Sequence, residues 1–358
     1  MPVATILSTT DLDAMVEFLV ERVGARLESI SPADDPSEIR LDVQGSPVWL
    51  RRSEQDVAGP LVVLTEQAPP PATVSAPNGT VVEFRPVTRR LDVPPSAPSF
   101  SLVRAGDRFG AGRAGMGYRD LLPGRWGGRF IASHILIAEG GEVPDYVHFH
   151  RIRFQMIFCA RGWVDLVYED QGPPFRLRAG DCVLQPPEIR HRVLRSSPGL
   201  QVIEVGCPAV HDTFVEHDMT LPTSAVAPDR GFSGQRFVRH VAAEAPRIPY
   251  RGTGLVHRDT GIGAATDGLA GAVVIEVGGP IDPAVTLTHD DEFVLEVVLA
   301  GEVTLDVDVG DGSQQHLLGE FDAVALPPGS RWRWEDPAAG CEILEVTLGA
   351  GAVTVAGP

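Results

Sequence analysis

Apolar residues along this chain recur mostly at every second position, in short runs broken by glycine and proline, and at helical spacing near the N-terminus. Residues 3–10, VATILSTT, read as a strand. Thr10 or Asp11 then offers an N-cap oxygen to a helix through DAMVEFLVERVGA, whose apolar positions share one face. Strand-like runs follow at SEIRLDV, SPVWLRR, GPLVVLTE and TVVEFRP, so residues 1–88 are expected to form a small α+β module. Residues 89–100, RRLDVPPSAPSF, read as a Pro-rich linker. After the linker the predicted elements are strands.

These later strands repeat. A first series runs through Tyr118-Arg119-Asp120, RFIASHILI, Gly140-Gly141, a histidine-bearing run from His148, Gly162-Trp163-Val164, Ala179-Gly180-Asp181 and LQVIEV at 200–205. A second runs through Tyr250-Arg251, AGAVVIEV, Gly278-Gly279, THDDEFVLEVVLAGEV, EFDAVALPPGSRW and CEILEV at 341–346. Matching turns and matching closing strands predict two successive β-barrels, at 101–222 and 223–358, joined by a Pro-, Thr-, Ser- and Gly-rich stretch near 219–236.

Composition agrees with a mainly β chain. With 38 glycines, 31 prolines and 6% aromatic residues, tight turns are favoured over long helices. The formal charge of -18 opposes binding to nucleic acid or to an anionic membrane, whose phosphates attract basic surfaces. The first residues show no basic leader and no unbroken apolar stretch, so a cytoplasmic location is expected. Cys159, Cys182, Cys207 and Cys341 are scattered singly and read as buried thiols.

Candidate chemistry sits in the first barrel. In a strand His148 and His150 project to the same face while Phe149 projects to the other. His191, on a neighbouring strand, would complete a set of three neutral nitrogen donors for one divalent ion. Gln155 lies on the next strand, and an amide there can orient a bound oxygen but cannot do acid–base work near neutral pH; a barrel-wall hydrogen bond is its other reading. Arg153 shares the parity of Gln155, which would aim its guanidinium at a substrate carboxylate unless the side chain is simply exposed. His134 is a candidate to support a metal ligand or to donate a proton, and Tyr118 a candidate substrate contact, although Tyr118-Arg119 recurs as Tyr250-Arg251 and so also fits a role in the fold. Among aromatic residues first assigned to the core, Phe149 and Phe158 are candidates to wall the pocket and exclude water. The second barrel has Leu287, His289, Val294 and Trp332 at the positions of His148, His150, Gln155 and His191, so it is expected to bind no metal.

The run His148-Phe149-His150, four residues, Gln155, six residues, Gly162, followed by Gly180, five residues, Pro186 and His191, resembles the two motifs of the cupin superfamily. It departs from them at Gln155, where glutamate is usual, at Gly141-Glu142 and Glu188, which stand at motif glycines, and at Arg195, which replaces an asparagine. The resemblance implies tandem cupin jelly-roll barrels, a bicupin, and a three-histidine centre similar to that of cupin dioxygenases acting on thiols, β-diketones or hydroxylated aromatics. It implies one divalent metal, Fe(II) first, with Co, Ni, Mn, Cu or Zn as alternatives. A small chelating substrate and dioxygen would be the partners, and a homodimer the assembly. The alternatives are a non-oxidative metal-dependent isomerase or lyase and a non-catalytic small-molecule-binding protein. The strand, helix, strands order of residues 1–88 resembles one glyoxalase-like (vicinal oxygen chelate) module, with Glu83 where that family places its last metal ligand and no histidine partner on the first strand.

Overall fold

In the N-terminal segment Asp11 caps the helix Leu12–Phe18, its Oδ1 accepting from the Ala14 amide at 3.0 Å. The computed structural model describes residues 3–65, 71–86, 91–106, 108–112, 115–277, 281, 282, 284–349 and 353–356, and divides into two units, Met1–Arg90 and Leu91–Pro358. The expected turn Gly278-Gly279 and the linker residues Arg89-Arg90 lie outside the described residues.

In the first unit Thr5–Thr9 runs parallel to Ser46–Arg52, which pairs in turn with Glu38–Val43 and Arg26–Ser31. Pro60–Thr65, Val81–Pro86 and Thr73–Ser75 make a second sheet. The helix contributes Leu12 and Met15 to a core shared with Leu41, Leu50 and Val82. Sequence periodicity missed Arg26–Ser31 because every residue of that strand is exposed, which leaves no in–out alternation to detect. Glu83 is a half-buried strand residue paired with Arg85 at 2.8 Å, and no histidine or cysteine joins it in a ligand cluster among the described residues.

In the second unit each barrel is closed by two sheets. The first barrel joins Gly110–Ala111, Gly117–Asp120, Ile131–Ile137, Leu200–Cys207, Phe154–Arg161 and Cys182–Leu184 into one sheet. Facing it are Phe175–Arg178, Trp163–Tyr168, His191–Ser196, His148–His150 and Thr213–Val215. The second barrel repeats this plan with Ile248–Pro249, Val256–Asp259, Ala270–Glu276, Glu342–Leu348, Phe293–Ala300 and Ala323–Leu326 opposite Ser313–Leu318, Val303–Asp308, Arg331–Glu335, Leu287–Thr288 and Thr354–Val355.

The barrels exchange edge strands across the expected boundary at 222/223. Ser101–Val103 pairs with Ala323–Leu326 of the second barrel, and Val238–His240 pairs with Cys182–Leu184 of the first. The stretch 219–236 is likewise folded onto the first barrel, where Gln235 is buried and its Nε2 donates to the Arg153 carbonyl at 2.6 Å. The Pro-rich segment is anchored too: Trp126 donates Nε1–H to the Ser99 carbonyl, and Arg129 donates to that of Pro94. Between the barrels, Phe154, Met156, Phe158, Ile203 and Val205 interlock with Phe293, Leu295, Val297, Leu344 and Val346. Burying such side chains contributes roughly 1.5–3 kcal/mol each, which makes this seam a principal source of cohesion. All four cysteines are free and buried, and burial pushes the Cys159 thiol up to about 12.

Candidate metal centre

Alternation along the short strand His148–His150 turns both imidazoles to the barrel interior, where His148 stands directly across the ladder from His191. Their ring centroids lie 4.3 Å apart, with His150 at 5.2 Å from His148 and 5.4 Å from His191. All three residues are buried, and one nitrogen from each falls within 4.8 Å of the other two. Among the described residues this is the one such cluster of three. The turns that aim these strands have stated costs. At Gly162 a Cβ would collide with Ser197 and come within 3.3 Å of the Leu200 Cα, so glycine is needed there. Glu188, at a motif glycine, adopts φ +63°, an arrangement costing about 1–2 kcal/mol for a non-glycine residue. Its carboxylate receives Arg151 at 2.9 Å, and its amide donates to the His150 carbonyl at 2.9 Å.

Each ring is held from outside by its Nδ1. That of His148 lies 2.8 Å from the Tyr146 carbonyl, that of His191 3.0 Å from the Ile189 carbonyl, and that of His150 3.2 Å from Thr213 Oγ1. A neutral imidazole donating Nδ1–H to such an oxygen carries its lone pair on Nε2, the tautomer a metal ligand needs. Three neutral nitrogens with outer oxygen partners fit a divalent first-row ion, and they do not themselves cancel its charge. Gln185 closes the row, its Nε2 lying 2.9 Å from Nε2 of His191.

The histidines line a cavity of about 550 Å³. Its walls are largely apolar, from Ile131, Ile135, Ile137, Ile157, Val164, Leu166, Val193 and Val202, with Tyr118 and Tyr168 adding rings. Tyr168 stacks on His191 at 5.4 Å, and its buried hydroxyl has no hydrogen-bond partner among the described residues; burial alone pushes that phenol well above its ordinary value. Gln155 also faces the cavity, donating Nε2–H to Glu204 Oε1 at 2.6 Å. Sequence reasoning passed over Glu204, Gln185, His211 and Thr213. For Glu204 the signal was present, a carboxylate in the middle of the apolar strand LQVIEV.

Four expected site residues lie elsewhere. Arg153 precedes the strand Phe154–Arg161, so strand parity does not govern it; its guanidinium grips both oxygens of Glu292 at 2.9 and 3.0 Å. The hydrogen bonds from Arg153 and Arg129 hold the Glu292 carboxyl down at about 2. His134 points to the opposite face of its sheet from Ser133 and Ile135, against Phe321, with Arg119 at 2.9 Å from Nδ1 and Gln201 at 2.9 Å from Nε2. Burial first, then the Arg119 charge, lowers the His134 imidazole to about 4, so it stays neutral there. Phe149 stacks outside on Phe214, and Phe158 belongs to the seam between barrels.

The second barrel holds no such set among the described residues. Leu287 pairs with Trp332 in the register of His148 with His191, and Glu296 pairs with Glu345 as Ile157 does with Glu204. His289 faces the Leu326 carbonyl at 3.0 Å. Ladder registers also correct the repeat: Tyr118-Arg119-Asp120 matches His257-Arg258-Asp259, because Asp120 opposes Ser133 as Asp259 opposes Val273. Tyr250 instead matches Gly112, each donating its amide across a turn, to Leu255 and Met116 respectively.

No protein-family profile matches this chain, and no curated protein matches it. Solved structures do. A salicylate 1,2-dioxygenase from Pseudaminobacter salicylatoxidans is 14% identical, with 73% of this chain and 90% of that one covered at a TM-score of 0.53. A mutant of the oxalate decarboxylase of Bacillus subtilis is 13% identical, with 75% and 81% covered at a TM-score of 0.51. At such identities the likeness establishes the fold alone, tandem barrels of the cupin kind, and the three-histidine cluster within it has its ligand atoms close enough together to hold a metal ion.

Proposed function

We propose that this chain is a mononuclear non-haem dioxygenase, with His148, His150 and His191 holding Fe(II) in the first barrel and a small chelating metabolite oxidised beside them. The observation that carries this reading is the convergence of three imidazoles, each braced through Nδ1, inside a mainly apolar cavity. When bound, the ion supplies open coordination positions at which substrate and dioxygen meet. The chain's own contribution is to fix the donors, to keep water away with isoleucine and valine walls, and to orient the bound molecule through Gln155, Glu204 and Tyr118.

Purification under argon followed by metal analysis and oxygen-electrode assays on β-diketone, hydroxylated-aromatic and thiol panels tests it. Oxygen uptake that requires Fe(II) and disappears in His191→Ala is the expected result. Turnover that continues unchanged without oxygen would favour an isomerase or lyase, and tight binding with no turnover would favour a binding protein.

A further inference from the structure

Glu204 is a carboxylate facing the same cavity as the three histidines, on the inner face of its sheet between Ser133 and Ile157, which also face that cavity. Gln155, one strand away, donates its amide N–H to Oε1 at 2.6 Å and so fixes that carboxylate's direction. The motif position at 155 has thus lost its acid, and an acid stands on the adjacent strand. Gly206 lies directly opposite Gln155 in the ladder, and a Cβ there would come within 3.2 Å of Ile131 and Ile152.

The cavity's charge balance points the same way. Among its described residues the guanidinium is that of Arg125, which is already paired with Asp120 at 3.4 Å, and Arg153 is committed outside to Glu292. The positive charge left beside Glu204 would be that of the bound ion, which three neutral imidazoles do not cancel.

We infer that Glu204 is the proton acceptor of the cavity, and that its substrate presents it with the O–H of an uncharged, weak oxygen acid, an enol or phenol on an apolar body. This rests on the metal-centre reading above. In the step, the substrate O–H bond breaks and an O–H bond to Glu204 forms. The electron pair stays on the substrate oxygen, which becomes an anionic donor, and nothing is oxidised or reduced.

The test is calorimetric titration of the metal-loaded full chain with 4-nitrocatechol, at a pH where that probe is uncharged in solution, in two buffers of different ionisation enthalpy. Proton release to solvent is thereby counted. Wild-type protein is expected to release about one proton fewer than Glu204→Gln, since a carboxylate keeps a proton that an amide cannot take. Glu204→Asp should restore the wild-type count, and Glu204→Ala gives the same readout as the glutamine variant should the latter not fold. The permanent anion 4-nitrobenzoate should bind Glu204→Gln about tenfold more tightly than wild type, because a like charge has been removed. Equal proton counts, or 4-nitrobenzoate binding that weakens in the variant, overturn the assignment. Metal analysis of the same samples separates the two readings: wild-type chain without metal overturns both, whereas metal-loaded chain with equal counts overturns this inference alone.

Discussion

The two barrels share a strand plan and differ in what fills them. Where the first places His191 the second places Trp332, whose indole Nε1 donates to Glu296 at 3.1 Å. Where the first has Gly112 against the Tyr118 ring, the second has Tyr250, fully buried and donating to Glu345 at 2.5 Å, with Arg251 on the other oxygen at 3.1 Å. Large side chains and an internal hydrogen-bond network thus occupy the space that the first barrel leaves as a cavity. The same architecture holds a cavity in one copy and packed side chains at the matching described positions in the other, and a handful of interior residues makes the difference.

The largest effect that would sharpen this contrast is loss of the metal. His191→Ala should abolish stoichiometric metal in the purified chain, read by elemental analysis, while leaving the second barrel's packing untouched. Retention of a full equivalent would break the contrast. Next in size, Trp332→Ala should cost about 3–5 kcal/mol of stability, measured by denaturant unfolding, with metal content unchanged. A smaller effect is expected at the outer ring: Thr213→Val, which removes the oxygen beside His150 Nδ1, should weaken metal affinity by about tenfold in competition with a chelator.

The smallest concerns the acid inside the second barrel. Burial, reinforced by the charge of Glu345, raises the Glu296 carboxyl well above its ordinary 4.5, so the folded state favours its protonated form. Its contribution to stability is therefore fully present below pH 4.5 and is lost as pH climbs from there through the raised folded value. Glu296→Gln keeps an acceptor oxygen for Trp332 and cannot ionise. Melting curves should show the variant gaining on the parent as pH rises from 4.5 to 7, and no relative gain would remove this difference between the barrels.

Much of the site was legible because ladder geometry is local. The spacing of His148, His150 and His191 required two strands and a turn, and the structure supplies them. His134 was misjudged because Ala132 to Ile135 are all buried, so alternation there separates two interiors, the cavity and the seam, and hydrophobicity alone cannot tell one from the other. Arg153 failed because periodicity was extended one residue beyond the strand. Pairing Tyr118 with Tyr250 failed because identical residues fell on different sides of a turn, which only the register of hydrogen bonds distinguishes. Strand exchange left no local trace at all, since Ser101–Val103 meets its partner more than two hundred residues later.

That exchange bears on biosynthesis. A nascent chain released as far as residue 222 already carries every histidine of the cluster, yet Cys182–Leu184 still lacks Val238–His240 along its edge. Ser101–Val103, among the earliest parts of this unit to emerge from the ribosome, waits for Ala323–Leu326 to be synthesised before it has a neighbour. Unpaired strand edges invite pairing with other chains, so both edges stay open to such pairing through the interval of synthesis between those points.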